Sequence, residues 1–478
     1  MRRAAGLLAT SALALLMHGC AAPLPEPPAA QVPAAWRNPA DHRVSLTDRP
    51  WGAIFQSPEL ESLVREALAA NADLAIAVQR VELARAQFGI QRSFLFPQVG
   101  ATFAYDRQRL PVGGFDENKV YESALLGLAL STWEIDVWGR VRAAAEGARR
   151  ELAAADETRL AAQVSIVAQV ASLYLQLLEL DAQLEISTLT LAARRESLRL
   201  VELRYRGGVA SKLEVQDATT LVAQAEQTIA EIGRVRSRTE NALSLVVGRL
   251  PGPIVRERTL REFAIPAQLP AGMPSELLLR RPDLRAAEQA LYAADASVEA
   301  ARKAFYPSIT LTGLLGFASP ALRDLLDGGR YAWQVSPAVA LPLFTAGRLQ
   351  SNLEATQAQR EIALEQYRAA VRNAFREVED ALSDVERYSE ERAALAKGVA
   401  AHRERLRLSE LRYKGGVASY FEVLDSSRQL FQAELQLVQA LRGQYGAVID
   451  LYRALGGGYE ANAPSASVPE ARRVPAGG

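Results

Sequence analysis

The chain carries nearly the same ten residues twice. ELRYRGGVAS occupies 202–211 and ELRYKGGVAS occupies 410–419, 208 positions later. Before each copy lies a long stretch that proline leaves alone: none falls between Pro111 and Pro251, nor between Pro342 and Pro464. An interior proline removes a helix hydrogen bond and clashes with the preceding turn, so such gaps are where long helices can form. Gly139 to Gly207 has only Gly147 between, and Gly347 to Gly415 has only Gly398. Both stretches are rich in Ala, Leu, Glu, Arg and Gln, which are strong helix formers. The spacing predicts helices over Arg140–Arg206 and Arg348–Lys414, each roughly 100 Å long at 1.5 Å per residue. The glycine pair can end each helix in the left-handed conformation. Ser211–Glu214 and Ser419–Glu422 both read S-x-x-E, a capping box that starts another helix. Each decapeptide is then the tip of an antiparallel hairpin, with returning arms over Lys212–Val247 and Tyr420–Leu455.

The repeat extends beyond the tips. NADLAIAVQRVELARAQ from Asn71 matches RPDLRAAEQALYAADAS from Arg281, with Asp73 aligned to Asp283 and Pro97 to Pro307. Gly139-Arg140 aligns with Gly347-Arg348. The chain reads as a tandem duplication. Between the helices lie stretches with strand composition: Val99–Arg107, Tyr121–Ile135, Ser308–Phe317 and Tyr331–Phe344. Nine or more residues cross an outer membrane when tilted. Four strands cannot close a barrel, and open edges are not tolerated in lipid. The strands therefore belong either to a barrel shared among copies or to a soluble helical protein with two small β-hairpins. Three copies would supply twelve strands.

Charge and composition exclude several classes. Basic and acidic residues balance at 55 each, which points to no nucleic-acid partner. The one Cys and three His (His18, His42, His402) give no basis for a zinc site, a disulfide framework or a Cys–His nucleophile. No phosphate loop, G-x-S-x-G or H-E-x-x-H occurs. The expectation is no enzyme, no metal and no cofactor. No transmembrane helix is expected beyond the N-terminus.

That N-terminus reads MRRAAGLLATSALALLMHGCAAPLPEPPAA, a secretory signal with Arg2 and Arg3 ahead of a short apolar stretch. Gly19-Cys20 is similar to a bacterial lipobox, although Met17 and His18 replace its usual Leu and small residue. Cys20 is the candidate lipidation site. The alternative is ordinary cleavage after Ala21 or Ala22. Five prolines between Pro23 and Pro33 make an extended tether.

The signal with Cys20, RRPDLRAAE at 280–288, FYPSITLTG at 305–313, LFTAGR at 343–348 and the twin tips together resemble TolC-type outer-membrane factors, most of all the lipoprotein branch serving drug-efflux pumps. The likeness covers roughly Asp48 to Leu455. It implies a mainly α fold with membrane β: a homotrimer whose twelve-stranded outer-membrane β-barrel, four strands per chain, continues into a twelve-helix periplasmic α-barrel. It implies residence in the outer membrane of a Gram-negative bacterium, in contact with outer-membrane lipid, with residue 21 other than Asp. It implies passive export of substrates delivered by a periplasmic adaptor (a membrane fusion protein) and an inner-membrane transporter of the RND type. The rival function is a periplasmic coiled-coil adaptor or structural lipoprotein, which would carry one hairpin rather than two.

In this frame the domains are a signal peptide at 1–19 and a lipid-anchored linker and equatorial segment at 20–56. The first repeat at 57–250 holds a helix, strands within 98–135 and a hairpin at 139–248. A linker follows at 251–274, part of an equatorial belt. The second repeat at 275–456 holds a helix, strands within 307–344 and a hairpin at 347–455. A tail closes the chain at 457–478. The resemblance makes Gly207, Gly208, Val209, Ala210 and Ser211, with Gly415, Gly416, Val417, Ala418 and Ser419, the adaptor-docking tips; on chemistry alone they are good turn residues. Arg412 and Asp425 are equidistant from the point between Ala418 and Ser419, so a hairpin places them at one height and able to pair. With Tyr413 they resemble the family's periplasmic gate, and Arg204, Tyr205 and Asp217 repeat the set.

Overall fold

The computed structural model describes residues 33–37, 57–109, 120–263, 271–327 and 329–457. The signal sequence, Cys20, the proline tether and the tail after 457 lie outside the described residues. Seven principal helices and four strands alternate as a duplicated chain demands. They are α1 (Pro58–Ala70), α2 (Ala72–Ser93), β1 (Val99–Gln108), β2 (Tyr121–Glu134), α3 (Arg140–Arg206), α4 (Lys212–Val247), α5 (Pro282–Lys303), β3 (Ser308–Ser319), β4 (Tyr331–Ala340), α6 (Arg348–Lys414) and α7 (Tyr420–Ala454). α3 and α6 are both 67 residues long.

Two expectations are corrected here. β4 ends at Ala340 rather than Phe344. Ala340 faces Ser308, the first residue of β3, so the ladder has no partner residue beyond it, and Leu343 and Phe344 stand almost fully exposed. A separate helix, α1, precedes the expected one. Ser57 starts it, its Oγ accepting from Leu60 N at 3.3 Å. Asn71 divides α1 from α2: its Oδ1 accepts from Leu74 N at 3.0 Å and its Nδ2 donates to Val246 O at 2.7 Å.

The chain forms two compact units. One comprises Arg80–Asp156 and Ala286–Arg368, and includes the sheet. The other draws its described residues from Ala30–Gln79, Glu157–Arg285 and Ala369–Gly478, and includes both hairpin tips.

In the first unit the strands run antiparallel in the order β1-β2-β3-β4. β2 pairs with β3, so the two repeats join in the middle and β1 and β4 are the edges. Directly opposed residues point to the same face, and faces alternate along a strand. One row reads Phe103–Leu126–Phe317–Tyr331 and the next on that face reads Ala101–Leu128–Leu315–Trp333. The row between them, on the opposite face, reads Thr102–Gly127–Gly316–Ala332. In these rows one face is large and apolar, and the row between them is small and neutral. A Cβ at Gly127 would lie 2.6 Å from Leu315 O, and one at Gly316 would run into Leu126 O. The β2–β3 backbones approach too closely there for side chains, as at the tight bends of barrels. A register shift between Leu130 and Trp133 adds a bulge lower in the pair. Trp138 Nε1 donates to Pro307 O at 2.7 Å, and its ring lies 5.5 Å from Tyr306.

In the second unit, buried side chains recur on α3 at Val167, Val170, Ala171, Tyr174, Leu177 and Leu178, the stripe expected of a helix facing a core. Each large apolar side chain so buried contributes about 1.5–3 kcal/mol. Part of α3 is long and apolar enough to cross a membrane by composition, and 44% of that part is buried inside the protein. The described part of the linker between repeats packs on this unit. Phe263 lies between Tyr174 (6.3 Å) and Tyr445 (5.8 Å) and accepts a short bond from Tyr445 Oη. Arg256 reaches Asp181 at 2.6 Å and Glu240 at 2.9 Å. Arg281, nearly buried, holds both oxygens of Asp283, plus Glu377 at 2.8 Å and Ala454 O at 3.0 Å. Trp36 pins the segment at 33–37: its Nε1 donates to Gly272 O at 3.0 Å and its ring meets Phe375 at 5.8 Å.

Candidate functional site

The helical hairpins end alike. Val209 N donates to Arg204 O at 2.9 Å and Gly208 N to Tyr205 O at 3.0 Å; Val417 N donates to Arg412 O and Gly416 N to Tyr413 O, both at 3.0 Å. This is the Schellman arrangement, which needs a left-handed residue just past the helix. Gly208 (φ +76°) and Gly416 (φ +74°) supply it. The glycine before each has ordinary φ. A Cβ on Gly207 would meet nothing closer than 3.5 Å, and one on Gly415 nothing closer than 3.4 Å. The turn therefore explains one glycine of each pair and leaves Gly207 and Gly415 unexplained. Val209 and Val417 are about 70% exposed, so each tip ends in a small apolar point.

The arms then diverge from their shared pattern. At α4 the capping box forms: Ser211 Oγ accepts from Glu214 N at 3.2 Å, and Glu214 Oε1 accepts from Ser211 N at 3.3 Å. At α7 it does not. Ser419 makes no side-chain cap, and Glu422 instead meets Arg412 at 3.3 Å.

That pairing corrects the expected one between Arg412 and Asp425. α6 ends at Lys414 and α7 begins at Tyr420, so the turn is centred on Val417, not between Ala418 and Ser419. About that centre Arg412 faces Glu422, and Ser409 Oγ lies 3.0 Å from Ser426 Oγ. Asp425 is taken from further up the arm by Arg405 at 2.7 Å, with Arg428 at 3.6 Å and Gln429 Nε2 at 2.8 Å.

Tyr413 is brought to the first hairpin. Its Oη donates to Glu214 Oε2 at 2.9 Å and its ring lies 4.4 Å under the Arg204 guanidinium. Burial, and then the bond to Glu214, push its phenol up to about 12. Tyr205 stays exposed and Asp217 half-buried; of the repeated set Arg204 joins the cluster through Tyr413, and the Asp217 charge acts on Tyr420. Behind these polar groups Val201, Ala218, Tyr420 and Val423 form a buried core. Tyr420 Oη lies 3.1 Å from Ser197 Oγ, and burial raises its pKa.

Sequence reasoning read Glu214 and Glu422 only as cap residues, and missed Arg405, Tyr420 and Arg194. Counting from the helix ends would have found Glu422. Arg194 had no signal. It is 4% exposed, donates through Nη1 to Leu221 O at 2.8 Å, and lies 5.0 Å over the Phe431 ring. Its Nε and Nη2 have no hydrogen-bond partner among the described residues, and burial lowers its pKa.

A family profile described as "Outer membrane efflux protein" matches residues 63–249 and 273–457. The chain is 34% identical to the probable efflux pump outer membrane protein TtgC of Pseudomonas putida over 463 residues, covering 95% of this chain and 96% of the relative. It is 34% identical to outer membrane protein OprJ of Pseudomonas aeruginosa over 474 residues, covering 96% and 97%. Among solved structures, the outer-membrane channel OprN superposes with a TM-score of 0.86 at 30% identity, over 92% of this chain and 98% of that one. The open-state MtrE outer membrane channel of Neisseria gonorrhoeae gives 0.82 at 34% identity, over 91% and 98%.

Proposed function

The chain belongs to the outer membrane efflux protein family, and from that premise we propose how its parts carry out export. It is the outer-membrane exit channel of a tripartite efflux pump and extends into the periplasm. The observation that carries the reading is the sheet: four strands among the described residues, one face carrying rows of large apolar side chains, and two edges, β1 and β4, with no partner strand among the described residues. In lipid such edges must be paired. Three copies close a twelve-stranded barrel, with the Phe103–Tyr331 face toward lipid and the Thr102–Ala332 face toward the lumen. Two hairpins per copy then give twelve helical columns. Purified protein should run as a heat-modifiable trimer and form ion-conducting channels in planar bilayers. A stable monomer that conducts nothing would overturn the reading.

Cys20 carries a lipid anchor in this proposal, and mass spectrometry of the mature N-terminus tests it: an unmodified chain beginning at Ala22 refutes it. The tips around Gly207 and Gly415 receive a periplasmic adaptor, which links the channel to an inner-membrane transporter of the RND type. Relatives named for toluene, solvent and antibiotic efflux make small organic molecules the expected cargo. The gate lies at the tips, held by the Tyr413–Glu214, Arg412–Glu422 and Arg405–Asp425 contacts, with Arg204, Tyr205 and Asp217 beside them.

A further inference from the structure

The apolar face of the sheet continues to the end nearest the helices. On β3 and β4 the pairs Leu311–Pro337 and Ile309–Val339 follow Leu315–Trp333 at even spacing, so they lie on its face. Ile135 N donates to Ile309 O at 2.8 Å and brings the end of β2 to that row. Just past it the rings of Trp138 and Tyr306 lie together, both about half exposed. Amphipathic rings of this kind collect where a membrane meets water.

Two cations converge at the same level. Glu134 pairs with Thr310, which shares a face with Gly316, and it holds Arg140 at 3.0 Å. Arg142 is two residues further along α3, about 200° round the helix at 3.6 residues per turn. It therefore leaves from the opposite side, that of the apolar face. Lys303 lies one turn before Tyr306, whose N donates to Lys303 O at 3.2 Å. A Cβ on Gly139 (φ +80°) would lie 3.4 Å from Lys303 Nζ and 3.5 Å from Arg142 Nη2. The two nitrogens are thus within about 7 Å of each other, close enough for one phosphate to accept from both at about 2.8 Å. Glycine keeps the space between them clear of a side chain. Among the described residues Lys303 Nζ has no partner closer than Glu299, at 3.9 Å, beyond hydrogen-bond reach. Arg142 directs Nε and Nη2 to Asp136 and to the Asp136 and Val137 carbonyls, which leaves Nη1 to donate. Asp136 is itself held by the Val141 and Arg142 amides at the start of α3.

We infer that Lys303 and Arg142 bind the phosphate of an acidic phospholipid, whose chains lie along Trp138, Tyr306 and the apolar face beyond them. This rests on the barrel reading above. Inorganic phosphate could meet the same two cations, but it has nothing to place on the rings or the apolar rows. A zwitterionic headgroup brings its own ammonium beside Lys303 and Arg142 and is repelled by them. Phosphatidylglycerol carries no such cation, so the site selects for it. One site per chain gives three around the rim of the channel.

Full-length trimers in detergent, titrated with phosphatidylglycerol or phosphatidylcholine and read by native mass spectrometry, test this. Phosphatidylglycerol should fill three tight sites per trimer and bind at least fivefold more tightly than phosphatidylcholine. Lys303→Gln removes a charge that makes no hydrogen bond in the chain, and should cut the preference at least threefold. Lys303→Arg should keep it, and Lys303→Gln with Arg142→Gln should abolish it. Arg302→Gln, next in sequence but paired with Glu299 at 2.9 Å, should leave it unchanged. Excess inorganic phosphate should not displace the lipid. Conducting trimers that bind both lipids alike, an unchanged preference in Lys303→Gln, or an equal loss in Arg302→Gln would each overturn the site and leave the barrel standing. Displacement by inorganic phosphate would overturn the lipid as occupant. Failure to form conducting trimers would overturn the barrel reading itself, and the site with it.

Discussion

Tyr413 donates its phenolic proton to Glu214 at 2.9 Å, and this bond ties the end of the second hairpin's long helix to the returning arm of the first. The ring is held separately, under Arg204. Tyr413→Phe removes the bond and keeps the stacking, so the expected effect is a higher single-channel conductance with trimer stability little changed. Tyr413→Ala removes both and should raise it further. The protonated phenol is the donor, and its pKa is raised from 10 to about 12. A raised folded-state value means the contribution is fully present below the ordinary pKa and is lost as pH climbs through the folded one. Wild-type conductance should therefore hold to about pH 10 and rise between 10 and about 12. The rise should be smaller in Tyr413→Phe.

The two S-x-x-E sequences should respond differently to the same change. Ser211→Ala removes a formed cap and costs about 1 kcal/mol. Ser419→Ala removes a side chain that makes no cap bond, so it should cost only a few tenths. Amide exchange at the first turn of α4 should speed up about fivefold in Ser211→Ala, since 1 kcal/mol is about that factor. The first turn of α7 should barely change in Ser419→Ala.

A double-mutant cycle decides the pairing at the second tip. Arg405–Asp425 and Arg412–Glu422 should each show a coupling of about 0.2–1 kcal/mol, the range for solvent-exposed ion pairs. Arg412–Asp425 should couple close to zero, because each group is engaged elsewhere. A large Arg412–Asp425 coupling would mean that the turn is centred between Ala418 and Ser419 after all.

The long elements were legible because their limits are chemical. Gly139 and Gly347 precede α3 and α6, the glycine pairs follow them, and no proline lies within; the observed spans Arg140–Arg206 and Arg348–Lys414 are those expected. The strand ends were less legible, since composition continues past Ala340 while the partner strand β3 begins only at Ser308, opposite Ala340. Side-chain pairing across a hairpin was harder still. An error of one and a half residues in the centre of the turn moved Arg412 from Glu422 to Asp425. The burial of Arg194 could not be read at all, because an arginine on a long helix reads as solvated unless the neighbouring hairpin is known to cover it.

The two glycines that the turn does not require separate folding from docking. Gly208→Ala and Gly416→Ala place a side chain at positive φ and should cost about 1 kcal/mol or more. Gly207→Ala and Gly415→Ala meet only ordinary contacts, so they should fold and assemble normally. If the bare backbone is where an adaptor tip approaches, both should still lower drug resistance in cells carrying the full pump. Unchanged resistance in the Gly207→Ala, Gly415→Ala double variant would remove the docking role.

The sheet makes the sharpest distinction between neighbouring residues. Thr102 and Phe103 are adjacent in β1 and lie in rows on opposite faces, as do Ala332 and Trp333 in β4. Transmembrane barrels alternate lumen and lipid along every strand. Cysteine at Thr102 or Ala332 should react with a charged, membrane-impermeant methanethiosulfonate reagent and change single-channel conductance, because both face water. Cysteine at Phe103 or Trp333 should resist that reagent and react with an apolar maleimide instead. The lumen row is also neutral and small, so an attached cation should shift ion selectivity more at Ala332, beside the bare backbone of Gly316, than any lipid-face label does. Equal reactivity of Thr102 and Phe103 would mean that water reaches both faces, and the sheet would not be the wall of a membrane barrel.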